Sequence, residues 1–175
     1  TMRLYEAALW TANANMEIIN QGAAGGALWC LQSMYYGDGM MIPGLWEFKD
    51  KQWAIRAVYY AQGLFMQFAR PGMTPIKLEA SADSCEFNAS ALKDDKGRVT
   101  LFLLNLAQKP AEANLAGMPE GQYQVYELSR DKFQTVKSAP NAELMDCLAT
   151  GTVSIGKTHP VTIEPESFVV LRPVQ

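Results

Sequence analysis

The sequence predicts an α+β chain that is mainly β, with an α-β-α segment over residues 1–73 followed by an antiparallel β-sandwich of about eight strands over 74–175. Three observations carry this reading. Apolar residues recur at helical spacing up to about Met73 and at alternate positions beyond it. A short run, Ala27-Leu28-Trp29-Cys30-Leu31-Gln32, is apolar on both alternating sets and lies between two helical patterns, as expected of a strand buried on both faces of a parallel sheet. Turn signals such as Asp94-Asp95-Lys96-Gly97, Pro119-Glu120-Gly121 and Pro140-Asn141 then punctuate the second part.

The chain starts almost directly in a helix. Tyr5, Leu9, Ala12, Met16 and Ile19 form one apolar stripe, with Glu6, Asn13 and Glu17 on other faces, and Gly22 supplies the stop because glycine takes the left-handed conformation without strain. The strand at 27–32 follows. A long connection from Ser33 to Lys49 contains Gly37, Gly39, Pro43 and Gly44, with Tyr35, Tyr36 and Trp46 among them. Asp50 is expected to cap a second helix whose stripe is Trp53, Ala57, Tyr60, Leu64 and Phe68, ended by Pro71-Gly72. Strands are expected at 75–83, 85–92, 99–106, 112–115, 123–128, 152–155, 161–163 and 168–171.

Composition narrows the function classes. At 175 residues and 49% hydrophobic content the chain can bury one or two cores. A net charge of −3 with no Lys/Arg-rich run argues against nucleic acid as a partner, and no apolar stretch approaches a membrane span. Cys30, Cys85 and Cys147 lack metal-ligand spacing. Cys30 reads as a buried thiol, while Cys85 and Cys147 are left as either thiols or a disulfide. His159 is the sole histidine and sits beside Pro160 in an expected turn, a poor basis for a metal site or a Ser-His-Asp triad. No metal or other cofactor is expected. Asn88-Ala89-Ser90 fits a glycosylation acceptor, although it falls within an expected strand.

Gly-Ala-Ala-Gly-Gly-Ala-Leu-Trp at 22–29, the Gly44-Leu45-Trp46 turn, the helix closing on Arg70-Pro71-Gly72, Asn105 within a strand, and Pro165-Glu166-Ser167-Phe168-Val169-Val170-Leu171 together resemble the C-terminal portion of clan A glycoside hydrolases. The resemblance implies that residues 1–73 are helix 7, strand 8 and helix 8 of a (β/α)8 barrel, and that 74–175 form the C-terminal sandwich. It implies a retaining glycosidase whose acid/base and nucleophile follow barrel strands 4 and 7, both outside this chain. Hence no catalytic residue is assigned, and Glu6, Glu17, Glu47 and Asp50 are read as surface or capping residues.

What the resemblance leaves to this chain is part of a sugar cleft. It implies Trp29 as an aromatic platform beneath a sugar, the alternative being a core residue at the barrel mouth; a pyranose packs its C–H face on an indole. Gln32, Tyr35, Tyr36, Asp38 and Trp46 follow on the loop and could hydrogen-bond or stack, or simply pack it. The implied partners are carbohydrate and either the missing N-terminal barrel portion or a second copy of the chain, since a lone strand at 27–32 would have two unpaired edges. A secreted or periplasmic location is implied likewise. The competing function is a carbohydrate-binding or structural sandwich module with a helical docking segment. Its candidate aromatics are Tyr123, Tyr126, Phe133 and Phe168, with Tyr126 facing away from Tyr123.

Overall fold

Helix α1 (Met2–Asn20) buries the expected stripe: Tyr5, Leu9, Ala12 and Met16 are core residues, joined by Ala8. It stops at Gly22, whose φ of 69° lets the amides of Gly22 and Ala23 turn back onto the carbonyls of Ile19 and Ile18. The structure, a computed structural model, describes residues 2–23, 25–28, 31–35, 37, 41–42, 44–79, 85–136 and 144–174. Within them the expected strand at 27–32 is not regular. Ala27 and Leu28 are irregular, and Gln32 makes an isolated parallel bridge to Trp46. A parallel strand is held by neighbours on both sides, and among the described residues this run has the 44–46 segment beside it and belongs to no sheet. Two short strands, β1 (Met34–Tyr35) and β2 (Met41–Ile42), pair antiparallel instead.

The second helix, α2 (Ala57–Phe68), begins later than the sequence suggests. Asp50 lies in a 3-10 turn at 49–51, and Gln52 and Trp53 both adopt φ of 56°, which no α-helix accommodates. Arg56 is therefore the N-cap residue. From Ala57 onward the expected stripe of Ala57, Tyr60, Leu64 and Phe68 is buried. Asn15 of α1 donates to Gln62 of α2 at 2.9 Å, tying the two helices together.

The remaining strands are β3 (Thr74–Ile76), β4 (Phe87–Lys93), β5 (Val99–Asn105), β6 (Ala111–Ala116), β7 (Gly121–Leu128), β8 (Ala149–Ile155), β9 (Thr158–Ile163) and β10 (Ser167–Pro173), with a helix α3 (Arg130–Val136) between β7 and β8. They form a six-stranded antiparallel sheet, ordered β3-β4-β5-β10-β7-β8, and a two-stranded sheet of β6 and β9. His159 thus lies in a strand opposite Leu115 and not in a turn.

The larger sheet is buried on both faces. Leu92, Phe102, Leu104, Tyr126, Leu128, Phe168 and Val170 pack towards the helices. Their neighbours Ala91, Leu101, Leu103, Tyr123, Val169 and Leu171 pack on the side of β6 and β9 with Ile155 and Ile163. That arrangement explains why β5 and β10 read as continuous apolar runs while β6 and β9 alternate. Phe65 of α2 stacks on Phe102 and Phe168 at 4.7 and 5.0 Å, so the helices and the sheet share one core.

Polar side chains complete the joints. Asn88 donates to Asn13 at 2.8 Å and to Glu17 at 2.7 Å, and Ser90 donates to Asn20 at 2.8 Å, docking β4 on α1. The amide proposed as a glycan acceptor is thus engaged in docking. Buried Asn105 bonds the carbonyls of Lys109, Ile163 and Glu164 and accepts from the amide of Ala107, fixing two loops at one end of the sheets. Cys85 and Cys147 form no disulfide, and Cys30 lies outside the described residues.

Candidate functional site

The segment between α1 and α2 is organised around Ser33 and Gly44. Buried Ser33 donates through Oγ to the carbonyl of Trp46 at 3.0 Å, and its own amide reaches the same oxygen at 3.1 Å. The Gly44 amide donates back to Ser33 Oγ at 3.2 Å. A Cβ at position 44 would fall 2.3 Å from the carbonyl carbon of Gln32, so only glycine lets these two backbones approach. The amides of Leu45 and Trp46 close on the carbonyl of Leu31 at 2.7 and 3.1 Å.

Trp46 is half-buried, bridges Gln32 on one side and Ile55 on the other, and sets its ring 6.1 Å from that of Tyr59. Gln32 is exposed beside it. These two candidates are brought together. The backbone of Tyr35 belongs to β1, whereas Trp29, Tyr36 and Asp38 lie outside the described residues.

Beneath the loop is an ion pair that sequence reasoning missed. Glu47, taken as a surface residue, accepts from Arg56 Nη2 at 2.6 Å, and the Arg56 side chain is 4% exposed. Among the described residues no acceptor meets Arg56 Nε or Nη1. A buried donor left unmet costs about 1–3 kcal/mol, so this guanidinium is only partly satisfied. No local pattern announces such a pair, because its partners lie nine positions apart. Leu28, Leu31, Met34, Trp53 and Ile55, from the segments that flank this loop in sequence, are exposed, Leu31 at 63%.

The aromatics considered for a sugar-binding sandwich face are not available. Tyr123, Tyr126, Phe133 and Phe168 are all buried; Tyr126 does face away from Tyr123, but into the helix-side core, 4.6 Å from Phe68. Among the described residues no cluster of His, Cys, Asp or Glu could hold a metal ion, and no helix is long and apolar enough to cross a membrane.

No protein family matches the sequence, and no curated protein does. Solved structures match its fold. A glycoside hydrolase family 30 subfamily 8 xylanase from Clostridium acetobutylicum is similar over 95% of this chain and 38% of its own, with a TM-score of 0.69 and 12% identity. A family 30 endoxylanase from Clostridium papyrosolvens gives the same coverage and identity with a TM-score of 0.62. An alpha-L-arabinofuranosidase from Thermotoga maritima is 14% identical over the same shares, with a TM-score of 0.58. The fold is therefore one found within glycoside hydrolases, and the chain spans little more than a third of the length of these enzymes.

Proposed function

We propose that the chain is the C-terminal part of a retaining glycoside hydrolase acting on O-glycosidic bonds of carbohydrates. Residues 1–73 are assigned to the end of its (β/α)8 barrel and 74–175 to its sandwich. The observation that carries this reading is the fold similarity over nearly the whole chain to enzymes of which it spans 38%. Support also comes from the segments flanking the loop before α2, where Leu28, Leu31, Met34, Trp53 and Ile55 are exposed large apolar side chains of the kind another segment covers when it packs there.

On this reading both carboxylates come from the rest of the barrel, about 5–5.5 Å apart, one attacking the anomeric carbon while the other protonates the leaving oxygen. This chain contributes a wall of the cleft. Trp29 is assigned as the sugar platform, with Gln32, Tyr35, Tyr36, Asp38 and Trp46 as its polar and stacking neighbours. The same reading carries the secreted or periplasmic setting that the resemblance implies.

The test is complementation. The purified chain alone is expected to leave aryl glycosides intact and to show self-association by light scattering. Adding the polypeptide encoded upstream is expected to give turnover, with Trp29→Ala and Trp46→Ala raising KM. Turnover by the chain alone that disappears on Glu6→Gln would overturn the assignment of the nucleophile to the missing part. A monomeric mass with cooperative unfolding would count against a barrel surface needing a partner.

A further inference from the structure

At the opposite end of α2 from Arg56, the residues following the helix, the β4-β5 turn and the end of β10 enclose a cleft of about 480 Å³. Three guanidinium groups line it, Arg70, Arg98 and Arg172, against the carboxylates of Asp94 and Asp95. The carboxylates do not answer the arginines evenly. Arg98 Nε donates to Asp94 at 2.7 Å, and the same carboxylate accepts from the amides of Lys96 and Arg98, so Asp94 is committed to the turn. Among the described residues neither Arg70 nor Arg172 has a carboxylate within salt-bridge distance. Arg172 is held by the ring of Phe68, with its guanidinium carbon 5.6 Å from the ring centre.

We propose that this cleft binds a small oxyanion, a carboxylate or phosphate group, between Arg70 and Arg172. Two guanidinium groups from separate segments present paired N–H donors that match a planar or tetrahedral oxyanion. A neutral sugar is a poorer fit, because among the described residues the one aromatic ring at the cleft, Phe68, is buried beneath Arg172 and offers no open face. The three arginines and two aspartates leave one net positive charge here, in a chain of net charge −3. The site is separate from the proposed cleft wall. The twelve residues of α2 span roughly 18 Å at 1.5 Å per residue, so the inference stands whether or not the hydrolase reading does.

Calorimetric titration of the whole chain at low salt with inorganic phosphate and, in a separate arm, with malonate tests this. Saturable binding of at least one anion is expected, weakened about tenfold or more by Arg70→Gln and by Arg172→Gln, since each removes a charge-assisted contact. Phosphate binding without malonate binding assigns a phosphate ligand, and the reverse a carboxylate. Raising the chloride concentration should weaken either. Circular dichroism verifies that the variants fold, and Arg70, being exposed, is replaceable without touching the core. No saturable binding of either anion, or undiminished affinity in a folded Arg70→Gln variant, would overturn the proposal.

Discussion

The hydroxyl of Tyr5 lies 2.8 Å from the main-chain oxygen of Glu166, a residue 161 positions away, and 2.9 Å from that of Leu128. Around this contact Arg130 donates to the Glu166 carboxylate at 2.8 Å and sets its guanidinium over the Tyr5 ring at 4.8 Å. Glu166 holds a φ of 47°, a conformation that a side chain makes costly and that the surrounding bonds must secure. The first turns of α1 are thus pinned to the loop leading into β10. Tyr5→Phe keeps the ring and removes the hydroxyl. It is expected to lose about 1–2 kcal/mol of stability, read as a lower urea midpoint with an unchanged slope.

Asn88 is the corresponding joint on β4. Its amide nitrogen reaches both Asn13 and Glu17, so Asn88→Asp would exchange two donated bonds for a carboxylate facing Glu17. A loss of about 2 kcal/mol is expected at neutral pH. Glu17→Gln in the same background should recover part of it by supplying a donor and removing the repulsion, and a double-mutant cycle in urea measures the coupling. Zero coupling would show that the Asn88-Glu17 bond contributes nothing to docking.

Much of this architecture was legible in the sequence, for identifiable reasons. Period-two alternation revealed β6 and β9, which bury one face, and short apolar runs bounded by turn signals revealed β5 and β10, which are buried on both; the α1 stripe was legible because it faces one core. Where conformation depends on distant partners, local pattern failed. The apolar run at 27–32 has the composition of a parallel strand, yet among the described residues its hydrogen bonds go to Trp46 and Leu45 of the following loop. The α2 pattern was extended back to Trp53 because the left-handed turn at Gln52 and Trp53 uses residues that carry no turn signal. Helix α3 was missed despite a usable cue, Ser129 before Asp131, where the Ser129 carbonyl accepts from the Phe133 amide. The Glu47-Arg56 pair had no cue at all. Of the candidate cleft residues, Gln32 and Trp46 are bridged through their backbones, an adjacency that their separation of fourteen positions did not announce, and Trp29 lies outside the described residues.

Gly44 should be the least replaceable residue of that loop. In Gly44→Ala the new methyl would meet the carbonyl carbon of Gln32, the amide nitrogen of Ser33 and the carbonyl oxygen of Gln32, all backbone atoms that cannot rotate aside. Forced displacement of packed backbone costs typically about 1–3 kcal/mol. The expected result is lost stability together with faster amide exchange at Ser33, Leu45 and Trp46, whose bonds close the loop. Unchanged exchange at those amides would mean that the close approach is not what holds the segment.

Alkali should unfold the protein through its tyrosines. Burial, with the Cys147 thiol and Tyr59 nearby, pushes the Tyr60 phenol up from 10.0 to about 12. Burial raises Tyr5 further and raises Tyr123 as well. A raised folded pKa means that the folded state holds the proton longer than the unfolded one, so this contribution to stability is complete below pH 10 and is lost as pH climbs towards 12. Absorbance titration at the tyrosinate band should show the late-ionising tyrosines appearing together with loss of far-ultraviolet dichroism. Their ionisation with the usual pKa in a still-folded chain would refute the burial of these phenols.

The strongest test of how the helices and sheet cohere is Phe65. Its ring lies nearly parallel to those of Phe102 and Phe168, with interplanar angles of 13° and 15°, so one residue of α2 stacks on two adjacent strands of the central sheet. Removing a buried phenylalanine costs about 3–5 kcal/mol through lost transfer energy and the cavity left behind. Phe65→Leu, which fills much of the space without the stack, should cost less than Phe65→Ala. Because Phe65 belongs to a core shared by α1, α2 and the sheet, the wild-type chain is expected to melt in one calorimetric transition and Phe65→Ala in one transition at lower temperature. Two separated transitions in the wild type would show that residues 1–73 and 74–175 fold as independent units despite the shared core.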